Sequence, residues 1–389
     1  MKIGILTFHR PINYGALLQA YALSSHLSES FPNDEIEIID YIAPKEKRKI
    51  FLNILRKIKY EGIFSGIKEL KKIKIFHKSL SLLKLSKKYI CSDKLDKLYD
   101  YINKSYDMLI IGSDAVFNWE QNGYPTAFIP QYIFNIPVFT YAASVHGLKY
   151  LEQPQERINA CGKAFDNMQF VSVRDKCTEN FVRHCTSSAD IAHCCDPTFL
   201  IDFEKLYTNN HRSIKEIFNA YSTSIEKKYI VLMLQNDEIS KEVYNRYSGD
   251  YTIVSLFGNN KYSDVFMFDL NPVEWCLVLK HAALVFTNYF HGTLLTLQQG
   301  NAAMVVDVSR FNEPYEGKLF DLMCTRLGLA DMYIKVEDLD CSEACENFFK
   351  CAQKYLSGEY KESINKAVNN EKQSYSVFED TIHSIIKEV

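Results

Sequence analysis

Residues 3–23, IGILTFHRPINYGALLQAYAL, decide the fold. Ile3 to Phe8 is a short run suited to a strand, and His9–Tyr14 is a polar loop. From Gly15 onward, Leu17, Leu18, Tyr21, Ala22 and Leu23 fall on one face at helical spacing. Glu35–Tyr41 (EIEIIDY) alternates and ends apolar, which predicts a second strand. Strand, loop, helix, strand is the opening unit of a parallel sheet.

The same rhythm continues outward. Asp107–Gly112 (DMLIIG), Val138–Ser144 (VFTYAAS) and Phe170–Val173 (FVSV) read as further strands. After a weakly patterned stretch at Phe203–Lys227 it resumes at Tyr229–Leu234, Thr252–Leu256, Ala283–Thr287 and Ala303–Val308. Two β/α blocks of an α/β protein follow: a first domain at 1–205 and a second at 206–350. A charged helical segment over 351–389 is expected to pack back across the first domain. Between the second and third strands, residues 45–90 hold fifteen Lys/Arg and three Glu interleaved with Ile, Leu and Phe. ILRKIKY (54–60) and KSLSLLKLSKK (78–88) become basic and amphipathic when wound as helices. One reading is peripheral contact with an anionic membrane surface. The plainer reading is a helical excursion with a solvated lysine face.

Composition narrows the function class. The chain has 389 residues, with 47% hydrophobic and 24% charged, an ordinary globular balance. Lys+Arg 45 against Asp+Glu 48 leaves a net charge of −3, so no basic field invites nucleic acid. The opening MKIGILTFHR reads as a strand rather than a signal peptide. No stretch of about 18 apolar residues offers to span a bilayer. Eleven cysteines, an odd number, point to free thiols in a reducing cytoplasm. His193, Cys194 and Cys195 are adjacent, which is poor geometry for one ion, so no metal site is expected.

In open parallel sheets, ligands bind beyond the carboxyl ends of the strands. The residues there form a coherent set: His9, Arg10, Asn13, Tyr14 and Gly15; Ser113, Asp114 and Asn118; His146; Arg174; Asn236; and Asn288 to Thr293. Gly15 before a helix lets bare N–H groups meet an anion, or it serves a tight turn. There is no G-x-G-x-x-G after the first strand and no P-loop. Arg174 ends an apolar strand and needs an oxyanion, from a ligand or from Asp175 or Asp196. Asp114 suits a helix cap, a base or a hydroxyl acceptor. His291 starts a helix after an apolar strand, where the dipole lowers its pKa and a phosphate would raise it again. A structural histidine is its plainer alternative.

This ordered set resembles the polysaccharide pyruvyl transferases. The resemblance rests on the opening stretch, IIGSDAVFNW (110–119), TYAASVH (140–146), VSVRD (171–175), DPTFLID (196–202), TNYFHGTLLTLQQGNA (287–302) and KLFDLMCTRLGL (318–329). It implies two Rossmann-like domains facing across a cleft, a glycosyltransferase-B-like architecture. It also implies phosphoenolpyruvate as donor, no cofactor, and a glycan or lipid-linked oligosaccharide as acceptor, with a pyruvate ketal as product. By the same resemblance His291 is the acid, Arg174 the phosphate clamp and Asp114 the hydroxyl-recognising group or base. Asn13, Gly15, Ser113, Asn288, Tyr289, Gly292, Thr293 and Lys318 complete the expected substrate-binding set. Where members of the family often carry an arginine two residues before the histidine, this chain has Tyr289. Arg10, Arg310 and Lys318 are the candidate replacement cations. The alternatives are a nucleotide-sugar glycosyltransferase, with Asn236, Glu274 and Asn288 as its candidate polar groups, and a non-catalytic glycan-binding relative.

Overall fold

The computed structural model describes residues 1–234, 236–309 and 317–388. In the first half the strands are β1 (Lys2–Leu6), β2 (Glu35–Ile38), β3 (Tyr41–Ile42), β4 (Ile90–Cys91), β5 (Met108–Asp114), β6 (Val138–Ala143), β7 (Val171–Val173) and β8 (Ile191–His193). In the second half they are β9 (Tyr229–Met233), β10 (Thr252–Leu256), β11 (Val265–Met267), β12 (Leu284–Thr287), β13 (Ala303–Asp307) and β14 (Tyr333–Lys335). They build two six-stranded sheets, ordered β2-β1-β5-β6-β7-β8 and β11-β10-β9-β12-β13-β14, with every pair parallel. β5, β6, β9 and β13 are buried at every position. That is why their sequences run apolar without alternation: helices cover both faces.

The chain moves outward from β1 to β2, then returns to lay β5 on the other side of β1. The second sheet does the same with β9, β10 and then β12. These reversals create a crevice beyond the carboxyl end of each central strand, the place where α/β sheets bind ligands. Helix α1 (Tyr14–Ser30) starts at the first crevice, with Asn13 Oδ1 accepting from the N–H groups of Gly15 and Ala16. Helix Phe290–Gln298 starts at the second.

Five strands escaped the sequence reading: β3, β4, β8, β11 and β14. Each has two or three residues; β8, β11 and β14 edge the main sheets, and β3 and β4 pair only with each other. Such pieces are too short to show a period. The strand expected over Glu35–Tyr41 stops at Ile38 because the Asp40 N–H turns to Ser86 Oγ, 2.9 Å away. The basic insert forms an antiparallel pair of helices, α2 (Pro44–Glu61) and α3 (Ile63–Ser79). Among the terminal helices, Tyr375 and Phe378 set their rings against Tyr141 of β6, and Phe378 also meets Phe170. One apolar cluster runs through both sheets, joined where Tyr14 meets Phe257 and Trp275.

Candidate functional site

The two crevices face each other and touch. A Cβ built on Gly15 would lie 2.3 Å from His291 Nδ1 and 2.6 Å from His291 Cβ. Glycine is therefore required at position 15 by close approach to a side chain of the other domain. Tyr14 anchors the same corner by donating its hydroxyl to the Leu270 carbonyl at 2.7 Å. Gln298 closes the far end of the helix by donating to the carbonyls of Phe199 and Ile201, each at 2.9 Å.

Around this contact lies a cavity of about 370 Å³, walled by Asn13, Gly15, Lys72, Tyr289, His291 and Lys318 among others. Its volume lies in the range of small-ligand sites. His291 is buried, and Nε2 has no hydrogen-bond partner among the described residues, standing 3.9 Å from Asp196 Oδ2. Burial lowers its pKa; Asp196 and Asp114 oppose that, while Arg174 and Lys318 reinforce it. Lys318 is likewise lowered, first by burial. Lys72, carried into the cavity by α3, is also lowered by burial. It stands 5.9 Å from the Phe257 ring.

Arg174 sits one layer deeper, 2% exposed. Nη1 donates to Asp196 Oδ2 at 2.7 Å and lies 3.7 Å from Asp114 Oδ1. Nε and Nη2, which together form one edge of the guanidinium, have no partner among the described residues. Leaving a buried donor unpaired costs about 1–3 kcal/mol, more for a charged group. The edge is therefore suited to a bidentate oxyanion. The Phe290 ring lies 4.5 Å from this guanidinium and 5.0 Å from Lys318 Nζ, and lines the cavity that Arg174 itself does not reach. Asp196 is held in place by the Thr198 N–H at 2.9 Å. Arg326 crosses from the second half to hydrogen-bond the Arg174 carbonyl and pair with Glu371.

The expected residues thus divide. Asn13, Gly15, Tyr289, His291, Gly292 and Lys318 line the cavity, and Asp114 and Arg174 lie behind it. Asp114 does not cap a helix: Asn118 caps the next one. Burial would raise the Asp114 pKa, but His291, Arg174, Lys318 and the Ala115 N–H hold it at about 2. It stays ionised, which makes it a weak base and a strong charge partner. Ser113 is not a ligand group, because its hydroxyl bonds the Ala142 carbonyl of the neighbouring strand β6 and the Asp114 N–H. Thr293 donates back to the Tyr289 carbonyl, so its hydroxyl is spent inside its helix. Asn288 lies off the cavity wall with a buried Oδ1 that has no partner among the described residues.

Of the replacement cations, Arg10 is tied to Asp40, with Nε donating at 2.7 Å, and Arg310 lies outside the described residues. Lys318 is in place. The sequence reading missed Lys72, one of fifteen Lys/Arg in the insert. Its only signal was its place on a helix that also carries the buried Phe76. For a nucleotide site the second half offers little: Asn236 caps a helix, and Glu274 is shared between a capping box and Arg212.

The sequence profile of the family described as polysaccharide pyruvyl transferase matches residues 13–310. The chain belongs to this family. Among curated proteins none matches significantly. Solved structures similar to this pyruvyl transferase family member include S. aureus MnaA with UDP (12% identity, TM-score 0.52, covering 100% of this chain and 97% of that one). The UDP-GlcNAc 2-epimerase of Neisseria meningitidis bound to UDP-GlcNAc is another (12%, 0.52, 99% and 100%). A third is the Methanocaldococcus jannaschii UDP-GlcNAc 2-epimerase with UDP-GlcNAc and UDP (14%, 0.51, 98% and 100%). At such identities the likeness concerns the fold, which is glycosyltransferase-B-like: two Rossmann-like domains across a cleft. Among the described residues no helix is long and apolar enough to cross a membrane.

Proposed function

We propose that this protein moves the enolpyruvyl group of phosphoenolpyruvate onto two hydroxyls of a sugar in a surface polysaccharide or its lipid-linked precursor. It does so with a cytoplasmic site at the inner membrane face, forming a pyruvate ketal. The observation that carries the donor reading is the buried edge of Arg174, unpartnered among the described residues, behind a cavity whose wall carries His291, Lys318 and Lys72. Three cations around one histidine suit a small, highly charged anion, and they replace the arginine that Tyr289 does not supply.

Lys72 and Lys318 receive the donor's anionic groups at the cavity wall. One oxyanion reaches the Nε/Nη2 edge of Arg174 as the Phe290 ring turns aside. The negative charge raises the His291 pKa, so a proton is taken up on binding. His291 then gives that proton to C3, which becomes the methyl group, and C2 becomes electrophilic. One sugar oxygen adds to C2 and passes its proton to His291, neutral after protonating C3. The C2–O bond to phosphate breaks with its electron pair leaving on phosphate, and the second hydroxyl adds in its place, its proton leaving with the phosphate. Asp114 stays ionised throughout and, with Asp196, balances the charge on Arg174 and His291.

The test is calorimetric titration of phosphoenolpyruvate in two buffers of different ionisation enthalpy, beside UDP-GlcNAc. Phosphoenolpyruvate should bind with net proton uptake near neutral pH. His291→Gln should bind it without that uptake and without turnover. Arg174→Met should weaken it by about 1.5–3 kcal/mol. Binding of UDP-GlcNAc alone would overturn the donor assignment in favour of glycosyl transfer.

A further inference from the structure

The helical pair α2–α3 is built unlike the rest of the protein. Helix α2 has no buried residue over eighteen positions. Phe51, Leu55 and Ile58 recur at i, i+4 and i+7 and are exposed, and Ile63, Ile67 and Leu70 repeat the spacing on α3. At the turn, Tyr60 is 72%, Ile63 70% and Phe64 84% exposed. Nine of the fifteen large apolar side chains exposed in the described chain lie on this one pair. A soluble surface does not normally concentrate them so.

The pair is nonetheless firmly made. A Cβ on Gly66 would lie 2.3 Å from Ile58 Cγ1, so the two helices are in close contact. Lys57 pairs with Glu69 across them at 2.8 Å. Its root is fixed to the second domain by Lys71, 2.6 Å from Asp269 and 5.3 Å from the centre of the Phe268 ring. Among the described residues no such contact joins Tyr60 or Phe64 at the tip to either domain.

Charge decides what covers the tip. Residues 44–79 hold twelve Lys/Arg and three Glu, a net +9, in a chain whose total is −3. Two copies meeting through this surface would bring two such charges together as water left. An anionic surface complements both the lysines and the apolar stripe.

We infer that the α2–α3 tip docks on an anionic lipid bilayer, placing Tyr60, Ile63 and Phe64 at the boundary of headgroups and acyl chains while Arg56 and Lys59 meet the phosphates. This names the surface behind the proposed membrane-face location and rests on that reading only for its purpose. Lys72 follows Phe64 by eight helical residues, roughly 12 Å. Docking therefore holds the cavity just above the headgroups, within reach of a lipid-linked sugar.

The test is flotation of the full chain with vesicles of phosphatidylcholine alone, or with about a third phosphatidylglycerol, without donor or acceptor. Binding is expected only to the anionic vesicles and should fall steeply with added salt. Ile63→Asp with Phe64→Asp should cut the bound fraction about tenfold, as should Arg56→Glu with Lys59→Glu. The phosphoenolpyruvate-induced shift in melting should be unchanged in both, so failure of the donor reading would be seen separately. Absence of wild-type binding to anionic vesicles would overturn the inference. So would equal binding by both variants, or a wild-type dimer that Ile63→Asp with Phe64→Asp dissociates without any vesicle binding.

Discussion

Gly15→Ala is the perturbation that tests the domain contact most directly. Gly15 lies in the first turn of α1, where alanine taken alone should stabilise by about 0.4–1 kcal/mol. The structure reverses the sign. The new Cβ would stand 2.3, 2.4 and 2.6 Å from Nδ1, Cγ and Cβ of His291, where ordinary contact begins at 3.4 Å. The domains must part by roughly 1 Å, and overpacking of that kind costs about 1–3 kcal/mol. A displacement of this size at the reacting group lowers turnover by about 100-fold. Denaturant midpoints and a phosphate-release assay read the two effects. In a His291→Gly background the obstruction is gone, and Gly15→Ala should stabilise again, a coupling of about 2 kcal/mol between residues of different domains. Unchanged stability and turnover in the single variant would refute the reasoning. So would an equal cost in both backgrounds.

Two further outcomes follow from the charges. Lys72→Ala should weaken phosphoenolpyruvate binding about tenfold, as loss of one charge-assisted contact does. Melting should change little, since Lys72 is half-buried at the cavity wall; unchanged donor affinity would remove it from the site. Burial, helped by Lys318 and Arg174, lowers the His146 pKa to about 3. The unfolded chain then takes up the proton first, so stability is full above about pH 6.5 and falls by up to about 1.4 kcal/mol per pH unit as pH drops toward 3. His291, lowered in the same direction, adds to that slope. The denaturant midpoint should shift less between pH 7 and pH 5 in His146→Gln than in wild type, and equal shifts would defeat the assignment.

Much of the site was legible because strand ends announce themselves. Apolar runs such as LIIG and LVFT stop at Asp114 and at Asn288 to His291, and a parallel sheet must present whatever follows at one edge. What was not legible was the commitment of each polar group. Ser113, Thr293, Asn236 and Arg10 carry the same chemistry as true ligand groups in one dimension, yet their hydrogen bonds are spent locally or on Asp40. Lys72 was hidden for the converse reason. Its neighbours are lysines of the same helix, and only the passage of α3 over the second domain singles it out.

The sequence by itself determined the two β/α blocks, the Gly-Ser-Asp strand end, the Phe-His-Gly helix start and the family, because patterning and strand-end residues are local properties of the chain. The tertiary structure alone decided that Gly15 touches His291, that Arg174, beside Phe290, keeps one edge unpaired among the described residues, and that a surface insert delivers a cation to the cavity. Those facts depend on how two sheets and one helical pair close on each other. That closure is set by packing between residues far apart in the chain, which no local pattern encodes.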